Sequence, residues 1–368
     1  MKIAIIADPL DNQRAGVHVY VRELVNALSQ MNTRHEYIII REKKDPALPL
    51  KQIEVPNIHL PIGYASMRLF FIIPRLLRRL KVDAVFEPAH FGPFNLPSGM
   101  RRVTMIHDLT PILLPDYHRW HSQILQRTFL PGILRRADTV LSNSLSTTND
   151  LASVYPFTAP KTVTIPLGYD ERISRDEGNE FTAAFKLTEP YFLFVGTIEP
   201  RKNLSGLLRA YHAFREQSTE QVQLVIVGQK GWKSGTFFEE LEQHPYRSDI
   251  ILTGFVPLEL LGQAYTNALA LVYPSIYEGF GFPVVEALAC GTNVICPDNS
   301  SLPEVGGNLA YFYPTEHEDL LTDHLLTVAK QGPEVKRRAD AGPEWATRFS
   351  WRKYAETFDS LFDASPIV

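Results

Sequence analysis

The stretch from Tyr273 to Gly291, YPSIYEGFGFPVVEALACG, constrains the fold more than any other part of the chain. It predicts the end of a buried strand, a loop, a Gly-Phe-Gly turn and a helix opened by Pro283. Glycines let the backbone approach a ligand closely, and proline suits the first helical position because its missing N–H costs nothing there. The amides of such a helix start carry a partial positive charge, so the stretch predicts a site for a phosphate or for sugar hydroxyls.

Two glutamates lie in different parts of this stretch, Glu278 in the loop and Glu286 in the helix. A carboxylate only accepts hydrogen bonds and can take two donors at once, so the vicinal hydroxyls of a pyranose or a ribose are suitable partners for each. The alternative for each glutamate alone is a solvated loop charge or a partner of the helix dipole. Their combination with the glycine turn favours ligand binding.

The E-x7-E spacing of Glu278 and Glu286, within PSxYEGFGxPxxEALAxG, resembles the nucleotide-sugar site of the retaining glycosyltransferases of family 4, which have the GT-B fold. Further similarity runs through GTIEPRKNL at 196, LVIVGQKGW at 224, LTGFVP at 252 and SSLPEV at 300. The resemblance implies an α/β protein with two Rossmann-like domains facing across a cleft. It also implies a set of donor-binding residues: Gly16, Arg201, Lys202, Glu278, Gly279, Phe280, Gly281, Phe282 and Glu286.

Length and composition agree with two globular domains, because 368 residues with 45% apolar content can bury two cores. We predict an acceptor-binding domain over 1–172, a nucleotide-sugar-binding domain over 173–344, and a C-terminal helix within 345–368 that packs back on the first domain. The two cysteines form no disulfide framework and no zinc spacing, which fits the reducing cytoplasm. No apolar run is long enough to span a bilayer, so we expect any membrane contact to be peripheral.

The two halves differ in charge. Residues 1–172 hold 21 Lys/Arg against 15 Asp/Glu, a net charge of +6, and the remaining residues have a net charge of −10. The acidic second half argues against nucleic-acid binding, whereas the basic first half is suited to anionic lipid headgroups at the inner face of the cytoplasmic membrane. Residues 67–81, MRLFFIIPRLLRRLK, predict a basic amphipathic segment in a membrane interface. The alternative is a core-facing helix whose solvent side is basic.

In the first half, His107 follows an apolar strand, at the place where ligands bind in open α/β sheets. The family resemblance places a His-Asp pair here beside the donor sugar, and we predict that His107 donates a hydrogen bond to that sugar. Relatives usually carry a glycine pair in the loop before the first helix, but this chain has Arg14-Ala15-Gly16, so only Gly16 is carried over. That glycine could instead serve only the tight turn. His118 and His121 are weaker candidates for the acceptor site.

In the second half, Lys202 lies where a strand end meets a helix start, so its ammonium can reach a diphosphate held by helix amides. Arg201 would assist it. Some relatives have an arginine directly after the strand glycine, where this chain has Thr197, so phosphate neutralisation rests more on Lys202. The alternative is a solvated Arg-Lys pair.

The resemblance implies a retaining glycosyltransferase that moves a hexose from a nucleoside-diphosphate sugar to a hydroxyl of a glycan or lipid-linked acceptor. Its catalytic residues would be His107, Lys202 and Glu278. Because GTIEPRKNL and SSLPEV most resemble bacterial mannosyltransferases of surface polysaccharide, including lipopolysaccharide, GDP-mannose is the expected donor. We expect no cofactor and no metal, since the chain has no plausible Asp-x-Asp loop and no metal-ligand spacing. The alternatives are a UDP- or ADP-sugar transferase, a sugar-nucleotide epimerase of the same fold, and a non-catalytic partner subunit.

Overall fold

The structure, a computed structural model, describes residues 1–12, 16–56, 67–90, 95–118 and 120–363, without the side chains of residues 12, 121 and 122. The predictions for Arg14, Ala15 and the side chain of His121 therefore lie outside the described residues. The chain divides into two compact units. Unit 1 comprises Met1–Gly168 and Ser350–Val368, and unit 2 comprises Tyr169–Phe349.

The described part of unit 1 contains a seven-stranded parallel sheet in the order β3-β2-β1-β4-β5-β6-β7. The central strands are short apolar runs with nearly every residue buried, as a parallel sheet covered on both faces requires. The strands are β1 (Lys2–Ile6), β2 (Glu36–Arg41), β3 (Lys51–Glu54), β4 (Ala84–Glu87), β5 (Arg101–Ile106), β6 (Thr139–Ser142) and β7 (Thr162–Thr164).

The strand β3 has no clear pattern in the sequence. Its sequence KQIE lies at the edge of the sheet and is only partly buried, so it lacks the apolar run that marks the inner strands. Parallel pairing with β2, from Lys51 opposite Ile38 to Glu54 opposite Arg41, places it in the sheet.

The helices of unit 1 follow the strands in an alternating order, which is the pattern of a doubly wound fold. They are α1 (Pro9–Asn12), α2 (Gly16–Gln30), a π-helical turn (Arg68–Ile72) continuing into α3 (Ile73–Arg79), α4 (Thr110–Leu113), α5 (Trp120–Arg136), α6 (Leu145–Val154) and α15 (Trp351–Ser360), with 3-10 turns at Pro115–Tyr117 and Pro156–Lys161.

Residues 67–81 form a helical segment with one core-facing side. Ile73 and Leu77 are fully buried, and Arg68 is buried in an ion pair with Asp8 while its Nε donates to the Val55 carbonyl at 2.8 Å. Arg68 therefore does not belong to a solvated basic face of this segment, because the partly buried carboxylate of Asp8, just after β1, holds it inside. The exposed positions of this segment are Met67, Phe71, Arg75, Arg78, Arg79 and Lys81.

The described part of unit 2 contains a six-stranded parallel sheet in the order β10-β9-β8-β11-β12-β13. Its strands are β8 (Tyr191–Val195), β9 (Gln223–Val227), β10 (Ile250–Gly254), β11 (Ala270–Val272), β12 (Asn293–Pro297) and β13 (Tyr311–Tyr313). Its helices are α7 (Glu180–Ala184), α8 (Leu204–Gln217), α9 (Gly235–Glu242), α10 (Leu258–Thr266), α11 (Phe282–Ala289), α12 (Leu302–Gly306), α13 (Glu318–Ala329) and α14 (Pro333–Ala346), with 3-10 turns at Pro200–Lys202 and Arg247–Asp249.

The unit boundaries fall after Gly168 and Phe349, where the sequence placed them after residues 172 and 344. Residues 169–172 account for the first difference, and one of them, Asp170, interacts through its charge with Glu286 of α11 in unit 2. The segment that follows is tied to α10 by Gln263, whose amide donates to Asp176 at 3.1 Å and to Glu180 at 2.5 Å. Trp345 and Phe349 explain the second. Trp345 donates to a carbonyl of α12 at 2.8 Å, and the Phe349 ring packs in unit 2.

The terminal helix α15 packs on α2 within unit 1. The buried hydroxyls of Tyr20 and Tyr354 are 2.5 Å apart, and Asp359 accepts from the Tyr37 hydroxyl at 2.6 Å. Aromatic side chains fill the rest of this contact, with Phe86 and Phe358 ring centroids 4.8 Å apart. Apolar burial and a few buried hydroxyl contacts therefore hold the last helix on the first sheet.

Candidate functional site

The candidate site lies at the carboxyl edge of the unit 2 sheet. There β8 and β11 are neighbours, while the chain continues from β8 to β9 on one side and from β11 to β12 on the other. Ligands of open α/β sheets bind at such a switch point. The loop after β8 is joined to the loop after β11, because Ile276 N donates to the Arg201 carbonyl at 2.9 Å and the Ser275 hydroxyl contacts the same carbonyl at 3.3 Å.

A buried ion pair between Lys202 and Glu278 is the centre of this site. Lys202 Nζ donates to Glu278 Oε1 at 2.5 Å and to the Tyr273 hydroxyl at 2.6 Å, and Ser275 Oγ donates to the same carboxylate oxygen. Burial by itself would raise the pKa of Glu278, but the Arg201 and Lys202 charges outweigh it and hold that pKa at about 2. Glu278 is therefore ionised throughout the physiological range.

Arg201 links both loops through its guanidinium. Nη2 donates to Glu199 at 2.8 Å, and Nη1 donates to the Tyr277 carbonyl at 2.5 Å and lies 3.1 Å from Glu278 Oε2. Burial lowers the pKa of Lys202, against the attraction of Glu278. The structure thus brings together three predicted residues, Arg201, Lys202 and Glu278, and adds Glu199, which the sequence analysis did not single out.

Two serines fix the backbone of the Glu278 loop. Glu278 N donates to Ser300 Oγ at 3.0 Å, and Ser301 Oγ donates to the carbonyls of Glu278 at 2.9 Å and Phe280 at 2.7 Å. Ser300 has a positive φ of 49°, so this turn is itself constrained. These serines belong to the SSLPEV stretch, which indicated similarity but no role.

The Gly-Phe-Gly turn leads into α11. Gly281 has φ of 101°, a conformation that L side chains rarely adopt, and a Cβ at this position would come within 3.0 Å of Leu302 Cδ2. The predicted donor-binding residues Gly279, which begins the turn, and Phe282, which follows it, are half-buried. Phe280 is buried, with its ring centroid 5.3 Å from that of Phe282, so its side chain belongs to the core and only its backbone can face a ligand.

Glu286 lies on α11 and makes contacts separate from those of Glu278. Its Oε2 accepts a hydrogen bond from the Tyr265 hydroxyl at 2.7 Å. Burial raises the pKa of Glu286 to about 7, against that hydrogen bond, and the charge of Asp170 raises it further. Glu286 therefore titrates near neutrality, whereas Glu278 does not.

In unit 1, His107 directly follows β5 and is tied to the loop after β4. Its backbone N donates to His90 Nε2 at 2.8 Å, and its own Nε2 lies 2.8 Å from the Pro88 carbonyl, which can only accept. Burial lowers the pKa of His107 to about 4, and the neighbouring His90 lowers it further. At neutral pH the ring therefore carries its proton on Nε2, and Nδ1 is a hydrogen-bond acceptor. The predicted donor role would need a second ring proton.

Gly16 and His118 are the other predicted residues of unit 1 whose side chains or backbone the structure describes. Gly16 is exposed and is the first residue of α2. His118 follows the 3-10 turn after α4 and is half-buried, with its carbonyl 3.5 Å from Gln123 Nε2.

Comparisons with known proteins cover nearly all of the chain. Residues 14–172 match the profile described as Glycosyltransferase Family 4, and residues 176–345 match Glycosyl transferases group 1. The chain is 31% identical to O-antigen chain mannosyltransferase B of Escherichia coli over 268 residues, which cover 71% of this chain and 70% of that protein. The chain is a family 4 glycosyltransferase.

Two further comparisons describe this glycosyltransferase. It is 28% identical to the serotype-specific mannosyltransferase WbdA of Escherichia coli over 294 residues. These residues cover 74% of the chain but 34% of that longer protein. The crystal structure of Anabaena HepE in complex with UDP-glucose aligns with a TM-score of 0.77 at 15% identity and covers 99% of both chains. The predicted GT-B fold, with two Rossmann-like parallel sheets, is confirmed.

Sequence reasoning missed three groups that contact the predicted residues of the glycosyltransferase. Tyr265 carried no signal because its contact with Glu286 joins two helices distant in sequence. Glu199 directly precedes the Pro-Arg-Lys run, and only the basic residues of that run were predicted to bind phosphate. His90 is separated from its partner His107 by a whole strand, and its φ of 72° shows a constrained loop. Among the described residues no cluster of three His, Cys, Asp or Glu side chains has metal-binding spacing.

Proposed function

We propose that this glycosyltransferase is a retaining mannosyltransferase that moves mannose from GDP-mannose to a hydroxyl of a glycan or lipid-linked acceptor in surface polysaccharide synthesis. The mannosyltransferase names of O-antigen chain mannosyltransferase B and WbdA support the sugar. The observation that carries the proposal is the buried cluster of Arg201, Lys202 and Glu278 at the switch point of the unit 2 sheet.

Lys202 is the proposed partner of the donor diphosphate. An ammonium has three N–H donors, and Tyr273 and Glu278 accept two of them, so one donor remains for a phosphate oxygen. Glu278 holds the ammonium in place from one side. As the bond between sugar and diphosphate breaks, charge develops on the leaving oxygen, and a positioned cation stabilises it without reorganisation.

Retention of the anomeric configuration would follow from a reaction on one face of the sugar. A covalent intermediate needs a carboxylate nucleophile below the anomeric carbon. Both oxygens of Glu278 already contact cations, Oε1 with Lys202 and Oε2 with Arg201, which makes it a poor nucleophile. We propose that the leaving diphosphate oxygen accepts the proton of the acceptor hydroxyl, and that no metal is required.

His107 enters the proposal as a hydrogen-bond acceptor for a hydroxyl of the donor sugar. Its Nε2 proton is used by the Pro88 carbonyl, and its pKa of about 4 leaves Nδ1 without a proton at working pH. Glu286 is the proposed acceptor for the ribose hydroxyls. At working pH, well above the pKa of His107, turnover should therefore not follow the protonation of His107, whereas nucleotide affinity should follow the ionisation of Glu286.

A nucleotide-sugar screen tests the donor. GDP-mannose, UDP-glucose and ADP-glucose would each be added during thermal unfolding, because a ligand of the native state raises the apparent stability by mass action. We expect GDP-mannose to raise Tm most, and a larger rise with UDP-glucose, the ligand seen in HepE, would replace the GDP assignment. No rise with any of the three would favour the non-catalytic partner subunit.

The product and the need for metal are tested in the same transfer reaction. We expect proton NMR of the product to show the anomeric configuration of the donor, and an inverted product would contradict the mechanism. Turnover should persist in excess chelator. Its complete loss, restored by magnesium or manganese, would contradict the metal-free proposal. Epimerisation of the free donor without transfer would identify the epimerase alternative.

We further propose that the protein works in the cytoplasm and binds the inner face of the cytoplasmic membrane through unit 1. Within 67–81, Met67 and Phe71 are 52% and 48% exposed beside exposed arginines, and this segment contains no Asp or Glu. Further exposed apolar side chains lie on α5, where Trp120, Ile124 and Phe129 are 72%, 53% and 40% exposed. No helix in the described ranges is long and apolar enough to cross a bilayer.

Vesicle flotation tests this membrane contact. We expect binding to anionic vesicles that weakens with salt, and loss of binding in the double variant Arg75→Glu, Arg78→Glu. The matched control is Arg34→Glu, Arg352→Glu, which makes the same charge change at 80% and 85% exposed side chains of unit 1. Equal loss in both double variants would mean a nonspecific charge effect, and flotation on neutral vesicles alone would contradict the proposal.

A further inference from the structure

Glu199 is a buried carboxylate beside the proposed diphosphate site. Its side chain is 3% exposed and accepts from Arg201 Nη2 at 2.8 Å. Its backbone is extended, with φ of −144° and ψ of 157°, and its carbonyl accepts from Lys202 N at 3.0 Å. A Cβ on Gly231 would be 3.4 Å from that of Glu199, so the next loop of the sheet packs on it. Glu199 therefore has little freedom to move.

The contact between Glu199 and Arg201 controls where the guanidinium lies. One side of Arg201 contacts Glu199, and the other contacts the Tyr277 carbonyl and Glu278 Oε2. A long side chain is fixed in one conformation when hydrogen-bond acceptors contact it from both sides. A charge-assisted hydrogen bond is among the strongest contacts of this kind. Without Glu199, Arg201 would lose the charge-assisted hydrogen bond of its Nη2.

Glu199 also changes the charge of the site. Glu199 and Glu278 are two carboxylates facing two cations, Arg201 and Lys202, so the fully ionised cluster is neutral. The charges of Arg201, Lys202 and Glu278 act on Glu199, and burial raises the pKa of Glu199 in spite of the two cations. A diphosphate adds at least two negative charges, which disfavours an ionised carboxylate nearby and favours its protonated form.

We propose that Glu199 is a positioning residue that holds Arg201 against the Glu278 loop and takes up one proton from solvent when a nucleoside-diphosphate sugar binds. The protonated carboxyl keeps an oxygen that can accept from Arg201, while its lost charge leaves the cluster with a net charge of +1 for the diphosphate. This inference rests on the proposed donor site. It assigns Glu199 no contact with the donor itself.

Calorimetry in buffers of different ionisation enthalpy tests the proton. GDP-mannose, and UDP-glucose in parallel, would be titrated into the full chain between about pH 5.5 and 8, because neither sugar diphosphate loses a phosphate proton in this range. We expect wild type to take up more protons than Glu199→Gln, with a difference that rises to about one. Subtracting the proton number of Glu199→Gln from that of wild type removes the protons exchanged by Glu286, because both proteins contain Glu286. Identical proton numbers at every pH would overturn the proposal.

Two substitutions separate position from charge. Glu199→Gln keeps an acceptor for Arg201 and should bind the donor at least as tightly as wild type, whereas Glu199→Ala should bind about tenfold more weakly than Glu199→Gln. Equal affinities of the two variants would overturn the positioning role. Glu318→Gln is the matched control, since Glu318 also pairs with an arginine of unit 2 but is 33% exposed and outside the cluster. It should match wild type.

A third variant keeps the test valid if substitutions at Glu199 fail to fold. Arg201→Met removes the nearest cation, so Glu199 should already be protonated before binding and the proton uptake should disappear while the carboxyl remains. Uptake that persists in Arg201→Met would overturn the proposal. If wild type binds neither sugar nucleotide, the proposed function and this inference both fail, whereas binding without the expected proton difference refutes only this inference.

Discussion

Donor affinity should depend on pH through Glu286, and this dependence can be worked out from its environment. Burial places the pKa of Glu286 at about 7, and only the ionised carboxylate can accept hydrogen bonds from both ribose hydroxyls through both oxygens. About nine-tenths of the group is ionised at pH 8 and about one-tenth at pH 6. We therefore expect Glu286 to contribute about a tenfold fall in the affinity for GDP-mannose from pH 8 to pH 6, measured as the ratio of wild-type affinity to that of Glu286→Gln, because the proposed proton uptake by Glu199 acts on both proteins alike.

Titration calorimetry with GDP-mannose across this range is the assay, and two variants identify the titrating group. Glu286→Gln should bind more weakly than wild type at pH 8, and this difference should shrink about tenfold as the pH falls to 6. Tyr265→Phe removes the hydrogen bond that lowers the pKa of Glu286, so the midpoint should move to higher pH. Tyr211→Phe, which loses a buried hydroxyl contact elsewhere in unit 2, should leave the midpoint unchanged. An affinity ratio of wild type to Glu286→Gln that does not change between pH 8 and pH 6 would refute the reasoning.

The same ionisation has an opposite effect on the free protein. The folded pKa of Glu286 lies above its usual value, so the folded state binds more protons than the unfolded chain between about pH 4.5 and 7. The contribution of this group to the free energy of unfolding is present at low pH and is lost as the pH rises through about 7. Substitution by glutamine should remove this slope from denaturant titrations, so a slope that is unchanged would contradict the assignment.

Further predictions concern the buried contacts. Lys202→Met should abolish turnover and cost about 3 to 5 kcal/mol in denaturant unfolding, because Glu278 loses a buried partner, and adding Glu278→Gln should restore stability but not turnover. Gly281→Ala should cost about 1 to 3 kcal/mol because of its φ of 101°, whereas Gly235→Ala, with open space around it, should cost less. Tyr20→Phe should cost about 1 kcal/mol by removing the buried hydroxyl contact with α15, and no loss would contradict a stabilising role for that contact.

The alternation of apolar runs and helical patterns predicted the fold because buried parallel strands require continuous apolar residues. This signal fails at the sheet edge, where β3 is half-exposed and polar and owes its place to pairing with β2. It also fails for Arg68, since no local pattern shows that a basic residue in an amphipathic run is buried against Asp8.

The spacing of Glu278 and Glu286 around a glycine turn and the Arg-Lys pair at a strand end are local features, so the sequence by itself determined the family and predicted the class of ligand. The state of these groups is not local. Only the tertiary structure brings Lys202 and Arg201 onto Glu278, holds Arg201 with Glu199, and sets a pKa of about 2 for one glutamate and about 7 for the other. Burial and the nearest charges decide ionisation, and both come from residues that are distant in sequence and adjacent only after the two loops have packed.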